Sequence, residues 1–313
     1  MNVELLTTRA NPMVDPALHV WGWEIPVYLF LGGLVAGMMA IHGWFLFAER
    51  RRPGRSVTFL LPALGIVLLS LGMLALFLDL EHKLYVWRLY TTFQWRSPMS
   101  WGAWILVAVY PALGAALLLN PPAWLVARVP ALRALSERLL ADDRFVRLVA
   151  SANMALGGLL GIYTGVLLSS LGARPAWNSA VLGPLFLTSG LSSAAALVHM
   201  VARERAESEF LARADNRFLQ GELVLLALWF IGLASSTRVH QAAASLFLGG
   251  PYTAVFWVGV VGLGIAVPLF VQTLAVGHRV RHTSVAPVLV MAGGLLLRIV
   301  FVSAGQASHW RPF

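Results

Sequence analysis

The stretch Glu24-Ile-Pro-Val-Tyr28-Leu-Phe-Leu-Gly32-Gly33-Leu-Val-Ala-Gly37-Met-Met-Ala-Ile-His42 decides how the rest of the chain is read. It is apolar for long enough to cross a hydrocarbon core, which takes about 20 helical residues. Yet it begins with a carboxylate and ends with an imidazole. Glu24 and His42 are five helical turns apart, so they leave one face about 27 Å from each other along the axis. Tyr28 follows Glu24 by one turn. The glycines admit close approach by a neighbouring helix or a flat ligand. Ionisable groups inside a span are costly and mark candidate functional positions.

The composition extends this reading to the whole chain. Of 313 residues, 58% are hydrophobic and 12% charged, against about 25% charged in soluble domains. The net charge of +9 does not point to nucleic acid, because the basic residues fall between apolar stretches. No cysteine is present, which excludes cysteine-ligated iron–sulfur clusters, covalent haem and disulfides in this chain. Residues 1–20 contain Pro12, Asp15 and Pro16 and no apolar core, so no signal peptide is expected there.

Eight spans are read at about 24–48, 57–79, 99–119, 148–170, 180–202, 218–236, 253–276 and 284–305. The loops after spans one, three, five and seven carry 15 arginines, from Arg50 to Arg281, and the other side carries 7 basic residues. The bias places the former loops in the cytoplasm and both termini outside. The outer loop 80–98 alternates aromatics with charges, as expected of a helix in the headgroup layer, an anchor or a platform for a peripheral subunit. The inner loop 120–147 holds Pro121, Pro122, Pro130 and a basic amphipathic stretch suited to anionic lipid.

Aligning His42 with His199 sets Gly33-Leu34 on Gly190-Leu191, and Gly157-Gly158 of span four matches Gly293-Gly294 of span eight. The expected architecture is therefore all-α, eight transmembrane helices in two four-helix bundles forming a parallel repeat. An outer segment, 1–23, precedes a first bundle at 24–170, a second at 171–305 and an outer tail at 306–313.

Sorted by depth, the polar residues fall into two layers. Glu24, Tyr28, Asp79, Tyr163 and Arg298 lie towards the outer side, with Arg174 and Asn178 just beyond span four. His42, His199, Glu222 and Asn153 lie towards the inner side. Each has a structural explanation: Asp79 as a solvated helix end, Tyr163 as a core phenol, Arg298 as the balance for Asp79 or Glu24. Together, a carboxylate, two tyrosines and an arginine at one depth suit a quinone headgroup, whose carbonyls need donors and whose reduction needs proton carriers. The histidine pair admits haem ligation, proton relay or plain hydrogen bonding. The repeat and buried charges also admit a secondary transporter, although no span has an unwound Gly/Pro centre in both halves.

Three blocks carry a resemblance to a known family: Tyr28-Leu-Phe-Leu-Gly-Gly-Leu34, Ser97-Pro-Met-Ser-Trp-Gly-Ala-Trp104, and Tyr163-Thr-Gly-Val-Leu-Leu-Ser169 running into Arg174-Pro-Ala-Trp-Asn178 and Leu185-Phe-Leu-Thr-Ser-Gly-Leu-Ser-Ser193. The chain resembles the membrane subunit of polysulfide reductase and its NrfD-like relatives. One departure is Asp79-Leu-Glu-His-Lys83, where relatives often have Asp-Leu-Gly-Arg-Pro. The resemblance implies a multi-pass subunit of the bacterial inner membrane without haem or iron–sulfur cluster, reacting with menaquinone or ubiquinone near the outer face. Electrons would pass to or from a four-cluster ferredoxin-like partner on the periplasmic side, joined to a molybdopterin subunit or a multihaem cytochrome. It implies Tyr163, Tyr28 and Glu24 at the quinone and Asp79 in proton transfer; the depth sorting adds Glu24 as a proton exchanger and the inner-layer His42, His199 and Glu222 as a continuing proton path. Arg298 and Arg174 would balance charge, and no metal site is expected.

Overall fold

The computed structural model describes residues 21–48, 60–202, 204–276 and 284–310. The arginine-rich loops after spans one and seven, most of the segment 1–23 and the end of the tail lie outside the described residues.

Eight helices are long and apolar enough to cross a membrane: α1 (Glu24–Ala48), α2 (Leu61–Asp79), α3 (Pro98–Leu119), α4 (Asp143–Ser169), α5 (Leu182–Val201), α6 (Arg205–Ser235), α7 (Val255–Leu274) and α8 (Val285–Ala307). No strand occurs among the described residues. The side on which α1 begins is called the near side below, and the opposite one the far side.

Local chemistry explains where several helices begin. Pro62 stands in the first turn of α2 and Pro98 opens α3, positions where a missing N–H costs nothing. Asp142 caps α4, its Oδ1 accepting from the N–H groups of Arg144 at 2.9 Å and Phe145 at 3.3 Å. The helix therefore starts before the expected residue 148.

α6 starts earlier still, at Arg205 rather than 218. Its added turns are held on the exposed face by Arg205–Glu209 and Arg213–Glu209 pairs at i,i+4 spacing. A hydropathy reading cuts the helix off at these charges, although they favour it.

One loop differs from expectation, and the inner one keeps its amphipathic stretch as a helix. Segment 80–98 is no continuous interfacial helix but a 3₁₀ turn at Lys83–Tyr85 and one helical turn at Arg88–Thr91. It folds back on the start of α3: Ser100 Oγ accepts from Gln94 N at 2.9 Å, and Trp101 Nε1 donates to the Trp95 carbonyl at 2.8 Å. Segment 120–147 holds two short helices, Ala123–Arg128 and Ala131–Ala141. The second is tied to the end of α3 by Ser136 Oγ donating to the Leu119 carbonyl at 2.6 Å.

α1 packs on α2 and α4, and α3 closes the group against α2 and α4. α5 packs on α6 and α8, and α7 lies against α6 and α8. The seam between these groups is made by α1 with α5 and α8, and by α4 with α5. α1, α5 and α8 are the most enclosed helices, while α2 exposes Leu64, Val67, Leu71, Leu74 and Leu78, a stripe fit for lipid. At the α1–α5 crossing a β-carbon on Gly190 would run into the backbone of Gly33. Small residues let the two backbones meet, and van der Waals packing holds helices together where lipid offers no hydrophobic contrast.

Candidate functional site

On the near side four helix-borne groups converge. Tyr28 of α1 and Tyr163 of α4 are 4% and 7% exposed. Tyr163 is close enough to Tyr28 to act on it electrostatically, and so is Tyr90. Tyr163 is seated by an absence: a β-carbon at Gly102, in the first turn and a half of α3, would fall inside its phenol ring. Neither the Tyr28 nor the Tyr163 hydroxyl has a hydrogen-bond partner among the described residues. Half-buried Asp79, at the end of α2, lies within electrostatic range of half-buried Glu24, at the start of α1.

Segment 80–98 lies beside these residues. Tyr90 sits outside the spans, and burial, then neighbouring Tyr110, pushes its phenol above the ordinary value, so it remains a donor at neutral pH. The outer surface of the segment is aromatic and basic: Leu84 is 88% exposed, Trp87 and Trp95 are open, and Arg88 stacks over the Tyr85 ring at 4.5 Å.

Arg298 is not part of this group. It is fully buried in α8 and donates from Nη1 to Ser189 Oγ at 2.5 Å and to the Gly294 carbonyl at 2.9 Å. Its Nη2 donates to the Phe186 carbonyl at 3.0 Å. Its carboxylate neighbour, within electrostatic range, is Glu222 of α6. The expected balance for Asp79 or Glu24 is thus replaced by a pair with Glu222, because α8 and α6 both face α5 while α2 lies across the seam.

Arg174 is buried beside the near end of α8. Its Nη1 donates to the Ser308 carbonyl at 2.8 Å and contacts His309 Nδ1 at 3.2 Å. Next to it, Trp177 Nε1 donates to the Phe301 carbonyl at 2.8 Å, and its ring packs on Trp21 at 5.3 Å. Gln306 bonds both backbone groups of Trp21 at 3.0 Å. The Arg174–Asn178 block thus clasps the near end of α8 to the chain entering α1.

The expected inner layer divides as well. His199 Nδ1 lies 2.9 Å from the Ser208 carbonyl and 3.1 Å from its hydroxyl, across the turn joining α5 to α6. His42, 1% exposed, lies deep in α1 on the far side. Asn153 joins helices, its Nδ2 donating to the Ala112 carbonyl of α3 at 3.1 Å. Among the described residues, no three His, Cys, Asp or Glu side chains converge as for a metal ion.

Sequence reasoning missed Asp215 and Gln272. Asp215 is fully buried and accepts from Ser192 Oγ at 2.5 Å and from Gln272 Nε2 at 2.7 Å. It was legible in principle, since Asp215 and Glu222 are seven residues apart and share one helical face. Reading the sixth span from 218 left it in a loop.

A family model described as polysulphide reductase, NrfD, matches residues 11–308. The chain is similar to protein NrfD of Escherichia coli K12, at 33% identity over 92% of this chain and 95% of the relative. It is also similar to a polysulfide reductase chain of Wolinella succinogenes, at 30% over 92% and 94%. Similarity to a selenate reductase subunit of Mesobacillus selenatarsenatis is 24%, over 93% of this chain and 75% of that one.

Proposed function

The chain belongs to the polysulphide reductase NrfD family of membrane proteins, and on that premise we propose that it is the quinone-reactive subunit of a respiratory oxidoreductase. The observation carrying this is the near-side group: two buried phenols with no hydrogen-bond partner among the described residues, beside the neighbouring carboxylates of Glu24 and Asp79. Phenol hydroxyls donate to quinone carbonyls and accept from quinol hydroxyls. Oxidising a quinol releases two protons and two electrons; reducing a quinone consumes them. Glu24 and Asp79 exchange the protons with the near side. The electrons pass to or from an iron–sulfur subunit docked on the aromatic, basic surface of 80–98. The relatives named for polysulfide reductase and selenate reductase favour a multi-subunit reductase as the setting. The iron–sulfur partner would carry four clusters and join a molybdopterin subunit or a multihaem cytochrome. Menaquinone and ubiquinone both fit the site's chemistry. The near side is then periplasmic and the membrane the bacterial inner one, in line with the basic bias of the far-side loops.

The test is Tyr163→Phe in the assembled complex. Losing one headgroup hydrogen bond is expected to lower quinol turnover by about tenfold, the equivalent of about 1.4 kcal/mol. Full turnover would overturn the assignment.

We read the two helix groups as a duplicated four-helix unit, since each helix of the first has its counterpart's neighbours in the second. Gly33 meets Gly190, the residues equated by aligning the two histidines. In that frame Gly157, against Ala36, corresponds to Gly294, against Ser193, one residue from the match made on sequence alone. Tyr28 and Tyr163 then correspond to Leu185 and Val300, both buried. The near end of the second group is filled with packed aromatics, Trp229, Phe247, Phe256 and Phe301 among them. Among the described residues, the first group is the one that keeps a buried tyrosine pair on the near side.

His42, His199 and Glu222 supply proton-carrying groups between this site and the far side. If they conduct, His42→Ala lowers the protons moved per electron in vesicles; an unchanged ratio removes His42 from the route.

A further inference from the structure

We propose that the second helix group holds a separate site, centred on Asp215, that takes up one monovalent cation, sodium or a proton. The proposal rests on charge balance within α5–α8 and not on the quinone reading.

Asp215 is 0% exposed and sits about 15 Å along α6 from its far end. Both carboxylate oxygens are engaged, and by neutral groups only: Ser192 on α5 and Gln272 on α7. Glu222 lies two turns towards the near side on the same buried stripe and faces Arg298. Arg298 spends its hydrogen bonds on Ser189 and on the carbonyls of Phe186 and Gly294. The charged groups facing Asp215 are therefore few. α6 offers Glu222 and, two turns towards the far side, Glu207. α5 has no charged group nearer than His199, the described part of α7 offers none, and α8 offers Arg298, beyond Glu222. Among the described residues Asp215 and Glu222 share one guanidinium, while Glu207 has an interaction of its own, so one negative charge of the Asp215–Glu222 couple is left uncompensated in a buried setting. Such a charge is costly unless a counter-ion or a proton neutralises it.

A second observation points to an occupant. Gln272 is 3% exposed, and its Oε1 has no hydrogen-bond partner among the described residues while its Nε2 is bonded to Asp215. A carboxylate, a hydroxyl and an amide carbonyl form the hard oxygen set that dehydrated alkali ions take. A proton solves the same imbalance, because Asp215 can hold it and donate to Ser192 across the 2.5 Å contact. A divalent ion would bring more charge than the one negative charge to be balanced.

The purified complex distinguishes the occupants. Its thermal unfolding is followed as sodium chloride replaces choline chloride at constant ionic strength, with potassium chloride as the control. Infrared difference spectra in water and in D2O report protonated carboxyl groups. Sodium occupancy predicts an unfolding midpoint that rises with sodium alone. That dependence disappears in Asp215→Asn, and in Gln272→Met it needs about tenfold more sodium, the loss of about 1.4 kcal/mol of binding. Proton occupancy predicts no sodium dependence and a buried carboxylic-acid band at neutral pH that shifts in D2O and is lost in Asp215→Asn. A wild-type complex with neither signature overturns the proposal, whether or not the variants assemble. So does an acid band that persists in Asp215→Asn and vanishes in Glu222→Gln. Tyr163→Phe leaves both signatures unchanged, so failure here and failure of the quinone reading are separable.

Discussion

Arg298 is a fully buried cation whose loss is costly. It is a guanidinium without exposed surface, held by three neutral acceptors and facing Glu222. Removing one partner of a buried pair strands the other. Arg298→Ala is therefore expected to destabilise the folded chain by about 3–5 kcal/mol, and adding Glu222→Ala should restore part of the loss. Thermal unfolding in detergent reads both; a double variant no better than the single would show that the two are not coupled. Tyr163 illustrates how far the sequence reaches at this scale. The tyrosine and the Ser-Pro-Met-Ser-Trp-Gly motif are both visible in the chain, 61 positions apart. That the motif's glycine exists to seat the tyrosine ring is a fact of α3 crossing α4.

At the scale of elements, the decisive contact is the α1–α5 crossing. Gly190 lies against the Gly33 backbone, and the Arg298 guanidinium fills the space beside Gly33. Gly190→Val would put branched methyls where backbone now sits. We expect a loss of at least about 1–3 kcal/mol, the usual cost of overpacking, seen as poor recovery of folded protein in detergent. Gly221→Ala, on α6 and in ordinary contact with Thr188 of α5, should be close to neutral by the same measurement. Helix existence was legible from hydropathy for all eight spans, but helix ends were not. α6 extends 13 residues beyond its expected start because Arg205, Glu209 and Arg213 stabilise an exposed helical face outside the hydrocarbon. A criterion built on apolar length discards such turns. Segment 80–98 failed differently: its pattern suited an interfacial helix, and hydrogen bonds to the start of α3 folded it into turns instead.

For the molecule as a whole, orientation ties the site to the proposed partner. The chain has no cysteine, so introduced thiols can be labelled without background. Leu84→Cys, in the loop before α3, and Arg138→Cys, in the helix Ala131–Ala141, are both exposed positions. In intact cells a membrane-impermeant maleimide should label the first and not the second, with the reverse in inverted vesicles. The opposite pattern would place the tyrosine group on the cytoplasmic side and refute a periplasmic partner. The clasp of Arg174 and Trp177 onto the near end of α8 bears on the same surface, since it fixes the second group's edge beside the first.

The sequence by itself determined that this is a polytopic all-helical membrane protein, because about 20 apolar residues in a row have only one stable form in lipid. It also marked Tyr28, Tyr163, Glu24 and Asp79, because polar groups inside apolar spans stand out one at a time. Tertiary structure alone decided which of them meet. Depth along a helix can be counted from sequence, but the face a residue presents to its neighbours depends on how helices are rotated and arranged. Thus Arg298, at an expected depth close to the tyrosines, belongs to Glu222 within the second helix group. Asp215, taken for loop, lies in the most polar part of the second helix group.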